Sequence, residues 1–253
     1  MKYDLQILVP IIPERLESFK KIGIYNVGSK KILIHCLIGT NEKEIYQNDW
    51  PENVDVELIE SNTDDATMQI YKFLNRFDCE QASMADWFAK IDDDTFTDVS
   101  NLVDHLNKMY DPENDFYLVT EVRNEMENKE IDALKELNLF HLIDYNFSHE
   151  LEGCWLSKSA IKKIIENKDC KSLFDLRRKE EGGYTDQTIG AAAKLCKIYP
   201  IKEKRFTVNP YEFINCSIFG GDIFHFHPIC KIKDEKYWKI INYYYNWENK
   251  DNL

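Results

Sequence analysis

An α/β fold with a mainly parallel central sheet flanked by helices is what the sequence predicts, and two observations carry the expectation. Short apolar runs of strand length alternate with segments whose apolar residues recur at helical spacing. The runs also end in polar or acidic turns, as strands of an open α/β sheet do along the edge where ligands bind. With 253 residues the chain suits one domain with an ample core, and we read 1–253 as a single domain, its first half about 1–120 and its second about 121–253.

The elements follow in order. Residues 5–12 read as a buried strand, after which Pro13 sits in a tolerated first-turn position and Ile12, Leu16, Phe19 and Ile22 keep helical spacing. Strands over 31–38 and 54–59 are followed by a helix starting near Thr63 or Asp64, with Ala66, Ile70, Phe73, Leu74 and Phe77 toward the core. The apolar strand 87–91 then runs straight into Asp92, Asp93 and Asp94. Behind it, Asp98 caps a helix whose buried face is Val99, Leu102, Val103, Leu106 and Met109. Residues 107–115 are a polar break, 116–120 a strand, 121–130 a surface loop, and Ile131, Leu134 and Leu137 a modest helix. Ser157 caps a helix with Ala160, Ile161, Ile164 and Ile165 on one face, 169–184 reads as a loop, and Thr185 caps a helix carrying Ile189, Ala192, Ala193 and Cys196. A strand over 224–228 and a last helix capped by Asp234, with an aromatic stripe that reads as core packing, complete the chain.

Three adjacent carboxylates at a strand end repel one another and cost several kcal/mol each to desolvate unpaired, so something must neutralise them. A solvated turn is the bland account of Asp92, Asp93 and Asp94; a hard divalent cation, Mg²⁺ or Mn²⁺ on oxygen ligands, is the chemical one. The net charge of −13, from 45 acidic and 32 basic residues, excludes nucleic acid and an anionic membrane surface as main partners. It also means that an anionic substrate such as a nucleoside diphosphate needs a cation at its site. Isolated basic residues such as Arg15, Lys90 and Arg123 are read as solvated, with no basic cluster near the acidic strand and no phosphate loop of the P-loop kind.

Seven cysteines, an odd number without CxxC spacing, suggest reduced thiols rather than a disulfide framework or a zinc site. The apolar run 7–12, interrupted by Pro10, is too short for a signal peptide, and nothing approaches a membrane span. A cytoplasmic location, at most peripheral to a membrane, is the expectation.

Three later stretches each admit two readings. Gly153 and Trp155, ahead of the Ser157-capped helix, either wall a sugar site with an aromatic face or are plain core. Asp186 lies in the first turn of its helix, where the dipole favours an ionised carboxylate, and read alone it simply complements that dipole. His225 and His227 alternate with phenylalanines, so in a strand both imidazoles share one face, as a metal site or with only one of them functional.

Taken together and in this order, residues 89–94, 152–157, 185–190 and 224–227 resemble the Fringe-like and β1,3-galactosyltransferase group of inverting GT-A glycosyltransferases, over roughly residues 85–230. The resemblance implies a GT-A, nucleotide-diphospho-sugar transferase fold. It implies that Asp94 coordinates Mn²⁺ (or Mg²⁺), that Asp92 and Asp93 contact ribose and donor sugar or hold metal-bound waters, and that His227, in preference to His225, supplies the late metal ligand. Gly153 and Trp155 border the donor sugar, and Asp186 is the general base. The implied reaction moves a hexose or N-acetylhexosamine from a UDP-sugar to a hydroxyl of a carbohydrate or glycoconjugate acceptor, with β1,3 outcome. Two departures from the family are expected: a chain without its anchor and stem, and Glu152-Gly153-Cys154 in place of its small-residue segment. Donor identity therefore does not transfer. Two other classes stay open, a catalytically silent sugar-nucleotide-binding or scaffolding subunit and a metal-dependent nucleotidyltransferase or phosphohydrolase.

Overall fold

A computed structural model describes residues 2–39, 43–46, 50–61, 66–122, 126, 128–142, 153–178, 185–219 and 223–226. The start of the helix expected near Thr63 or Asp64, Glu152, Arg123, His227 and the expected last helix at Asp234 lie outside these residues.

In chain order the first half comprises β1 (Tyr3–Pro10), α1 (Leu16–Ser18), β2 (Ile32–Gly39), α2 (Lys43–Tyr46), β3 (Val54–Ser61), α3 (Ala66–Arg76), α4 (Cys79–Ala82), β4 (Ala85–Lys90), β5 (Phe96–Thr97), α5 (Val99–Met109) and β6 (Tyr117–Val119). Then come α6 (Asn128–Glu136), β7 (Cys154–Ser157), α7 (Lys158–Glu166), α8 (Lys168–Arg177), α9 (Thr185–Leu195), β8 (Pro200–Lys202), β9 (Phe206–Thr207), α10 (Pro210–Phe219) and β10 (His225–Phe226). Seven strands form one sheet in the order β3-β2-β1-β4-β7-β6-β8, and a small second sheet runs β5-β10-β9. In the large sheet β7 alone runs antiparallel to its neighbours β4 and β6. The sheet takes strands from both halves of the chain, the mainly parallel α/β architecture that the apolar runs predict.

Burial on both faces explains why β1 reads as an almost continuous apolar run. Leu5, Ile7 and Val9 pack with Ile34, Cys36 and Trp87 against the α5 face of Val99, Leu102, Val103 and Leu106. Leu8, Leu37, Phe88 and Leu156 point the other way, against Tyr71, Phe77, Ile161 and Ile164 of the α3 and α7 side. The caps are as expected at two helices: the Asp98 carboxylate accepts from Asn101 N, and the Ser157 hydroxyl accepts from Ala160 N at 3.2 Å.

Several expectations change. β1 stops at Pro10, and the stretch after it is not one regular helix: a 3₁₀ turn (Pro13–Arg15), α1 and a π-type turn (Phe19–Gly23) follow each other. Met109, counted on the buried face of α5, is 58% exposed, because the helix ends there and passes beyond the sheet. Residues 154–157, to which no element was assigned, are the antiparallel strand β7 inside the sheet, and 168–177 form helix α8 where a loop was expected. Helix α6 begins within the expected 121–130 loop, and its Glu130 is buried at 1% exposure. That burial is satisfied by Arg177 of α8 at 2.8 Å and by the Thr188 hydroxyl of α9, which donates to Glu130 at 2.9 Å.

Candidate active site

The order of the large sheet sets the place of the site. The chain leaves β1 for β2 and β3 and returns to β4 on the other side of β1, so the carboxyl ends of β1 and β4 flank a topological switch point, where open α/β sheets bind ligands. Asp92, Asp93 and Asp94 follow β4 directly, at this point. The strand ladder holds through Ile91, whose N–H donates to Leu8 O at 3.1 Å, and then a turn closes with Thr95 N donating to Asp92 O at 3.2 Å.

Each carboxylate has its own partners. Asp93 accepts from Ile12 N at 3.2 Å and from Arg15 Nη1 at 2.7 Å, which ties the acidic turn to the segment after β1. Asp94 Oδ2 lies 3.8 Å from the same guanidinium nitrogen. Burial pushes the Asp93 carboxyl above its usual range although Arg15 and the Ile12 N–H pull it back, so ionising Asp93 is opposed by its burial and favoured by added positive charge.

Lys90 joins the triplet to a residue far along the chain. Its Nζ donates to Asp92 Oδ1 at 2.9 Å and to Asp186 Oδ1 at 3.1 Å, with the lysine side chain 4% and the Asp186 side chain 7% exposed. Burial alone pulls a lysine pKa down; here the Asp186 and Asp92 carboxylates more than reverse that, and the ammonium stays charged above its ordinary range. Asp186 reaches this point because it occupies the first turn of α9, held by the Thr188–Glu130–Arg177 chain on the far side of the helix. Four carboxylates and the cations Lys90 and Arg15 thus meet at this edge of the sheet. The oxygen donor set suits Mg²⁺ or Mn²⁺. No group of three or more His, Cys, Asp or Glu side chains converges among the described residues, and His227, the late ligand implied by the resemblance, lies outside them.

The other expected site residues sit behind the carboxylates. Gly153 has φ +107°, and a Cβ there would lie 2.8 Å from Lys90 O and 3.2 Å from Ile91 Cγ2, so glycine is required for β7 to press against the end of β4. Trp155 is fully buried, its ring edge-on to His225 and against Phe206, which is the plain-core alternative. His225 is likewise fully buried, with Nδ1 3.3 Å from the Thr97 hydroxyl and its ring 4.9 Å from Phe206. Strand β10 pairs Phe226 with Phe96, two residues after Asp94. A cavity of about 440 Å³ lined by Glu57, Phe73, Arg76 and Gln81 opens elsewhere, between β3 and α3, and contains none of the four carboxylates.

Two residues read as solvated, Lys90 and Arg15, are therefore paired with the carboxylates of the site. A signal for Lys90 was present: a lysine ending an apolar strand directly before carboxylates has a ready partner within two residues. Nothing local marks Arg15; only the β1–β4 adjacency brings it to Asp93.

Among the described residues no helix is long and apolar enough to cross a membrane. No curated protein matches the chain. A family model described as Fringe-like matches residues 39–202, a span that holds Asp92, Asp93, Asp94, Gly153, Trp155 and Asp186. That match covers more than half of the chain, and with the mostly parallel seven-stranded sheet of a GT-A fold it shows that the chain belongs to the Fringe-like family of glycosyltransferases.

Proposed function

We propose that the protein is an inverting, metal-dependent transferase that moves a hexose or N-acetylhexosamine from a UDP-sugar to a hydroxyl of a carbohydrate or glycoconjugate acceptor, with β1,3 outcome. The observation that carries the reading is the Lys90 bridge: it brings Asp186 to the acidic turn at the switch point, across 96 residues of sequence. In this reading the carboxyl ends of β1 and β4 bind the nucleotide and residues after about 121 form most of the acceptor side.

Asp94, flanked by Asp92 and Asp93, would hold Mn²⁺ or Mg²⁺ together with His227, and the ion when bound neutralises the diphosphate and stabilises charge on the leaving nucleotide by several kcal/mol. Arg15 holds Asp93 and adds positive charge at the same edge. Asp186 takes the proton of the acceptor hydroxyl as its oxygen attacks the anomeric carbon from the face opposite the nucleotide. A single displacement of this kind inverts configuration. Lys90 holds Asp186 in place through its ion pair, and a base so positioned contributes about 10²- to 10⁴-fold.

The test is UDP release from a panel of UDP-sugars with an acceptor mixture, with Mn²⁺ and with chelator, on the native protein, Asp94→Asn and Asp186→Asn. Release that needs one donor, metal and Asp94, with Asp186→Asn still binding UDP but slower by about 10²- to 10⁴-fold, is the expected result. Transfer by Asp186→Asn at the native rate removes the base assignment. Metal binding without release points to the silent sugar-nucleotide-binding subunit, and release of inorganic phosphate to a phosphohydrolase.

A further inference from the structure

The cysteine count and spacing argue for seven separate thiols, yet the fold brings two of them together. Cys170 of α8 and Cys196, directly after α9, have their sulfurs 3.8 Å apart, in van der Waals contact, although 26 residues separate them in sequence. Cys170 is buried and donates to Ala192 O at 3.3 Å, while Cys196 is partly exposed. Forming a bond brings the two sulfurs from this contact to about 2.05 Å.

We propose that Cys170 and Cys196 are a modification site, a dithiol that a small-molecule disulfide oxidises to an intrachain disulfide joining α8 to the carboxyl end of α9. The inference does not rest on the glycosyltransferase reading. Cys196 is the attacking group: it is the accessible one, Asn167 Nδ2 lies 3.6 Å from its sulfur, and Lys163 O accepts from it at 3.4 Å. The neighbouring Cys170 thiol, which turns its S–H from Ala192 O to the Cys196 thiolate, together with Asn167 and the Lys163 charge, holds the Cys196 thiol below its usual range against burial. Two other described cysteines are less suited. Burial pushes Cys36 up to about 12, and the Glu166 carboxylate that accepts from Cys79 raises that thiol.

The chemistry balances with one oxidant. The Cys196 thiolate attacks a sulfur of the small disulfide and expels one thiolate, leaving a mixed disulfide on Cys196. Cys170 gives up its proton and attacks the Cys196 sulfur, and the second small thiolate leaves. Two protein thiols are oxidised by two electrons and the small disulfide is reduced to two thiols. The product reinforces an existing pairing. Cys170 touches α9 at Ala192 near one end, and Arg177 is linked to Thr188 through Glu130 near the other, so α8 and α9 lie antiparallel and the bridge fastens the end that lacks the ion pair. In a compartment poised by glutathione this pair would report the redox state, bridged in an oxidising lumen and open in a reducing cytosol.

The experiment incubates the full-length folded protein with excess oxidised glutathione, traps remaining thiols with iodoacetamide and maps peptides by mass spectrometry. The expected result is loss of two of the seven alkylatable thiols, a Cys170–Cys196 crosslinked peptide, no retained glutathione and a melting temperature raised by about 5–10 °C. Cys170→Ala should retain glutathione on Cys196, and Cys196→Ser should acquire neither bridge nor adduct at this site. A native protein in which all seven thiols remain alkylatable, in which glutathione stays on Cys196, or in which a different pair is linked would overturn the proposal. The mapping on the native chain decides the matter even where a variant fails to fold.

Discussion

Replacing Lys90 by methionine keeps the length and apolar bulk of the side chain and removes the charge that Asp92 and Asp186 share. The two ion pairs, at 2.9 and 3.1 Å, are made by a lysine whose side chain is 4% exposed. Breaking a buried pair by deleting one partner costs about 3–5 kcal/mol, because the remaining charge loses compensation that water does not replace. Asp92 is 31% exposed and Asp186 only 7%, so most of the loss comes from Asp186 and the lower end, about 3 kcal/mol, is the better figure. For a chain of this size, that lowers the melting temperature by roughly 6–12 °C. The sign with pH follows from the direction of the lysine shift. A folded pKa above the unfolded one stabilises fully below the unfolded value, about 10.4, and is lost only as pH rises through the folded value. The gap between native and variant should accordingly stay constant over about pH 6 to 9. Thermal unfolding followed by circular dichroism measures it, and the double variant Lys90→Met/Asp186→Asn should recover part of the loss because it leaves no unpaired charge on Asp186. A single variant melting within about 1 °C of the native protein, or a double variant no better than the single, would refute the reasoning.

Three further outcomes can be checked by comparable means. Gly153→Ala places a methyl 2.8 Å from Lys90 O at φ +107°; we expect a loss of about 1–3 kcal/mol in a urea titration and weakened UDP binding, since the end of β4 must shift. Glu130→Gln takes the carboxylate from the fully buried Arg177 and should cost about 3–5 kcal/mol, more than any exposed pair such as Lys135–Asp132. The hydrogen bond from His35 holds Glu57 below the ordinary carboxylate range. Stability from this pair is present above the unfolded value and lost as pH falls through the folded one. Glu57→Gln should therefore cost under about 1 kcal/mol at pH 7, as Glu57 is half exposed, and the difference should disappear below about pH 4 in melting curves.

The parallel half of the fold was legible because both faces of its strands are buried, and burial leaves a local mark, the apolar runs of β1, β2 and β4. Helices α5, α7 and α9 were legible for a similar reason, since a 3.6-residue period, joined by a cap at α5 and α7, is written within a dozen residues. Strand β7 was not, because four residues have no periodicity of their own and become a strand only by pairing with β4 and β6. Helix α8 was missed through Arg177: Cys170, Leu173 and Phe174 keep helical spacing, but the next core position is a guanidinium, whose burial makes sense only with Glu130, read as part of a surface loop. The Asn167 cap, which accepts from Asp169 N and Cys170 N, was the local signal available.

The same division holds at the site. By itself the sequence determined that three carboxylates end an apolar strand, that Asp186 opens a helix, and that the whole resembles one family, because these are properties of neighbouring residues. Which cations meet those carboxylates was decided only by the tertiary structure. Arg15 reaches Asp93 because β1 and β4 are adjacent, Lys90 reaches Asp186 because α9 is held against the sheet, and Trp155 lies in the core because β7 lies inside the sheet. Apart from the local Lys90–Asp92 pair, these pairings and burials are relations between distant segments, set by sheet order and helix packing, which no local pattern of residue types encodes.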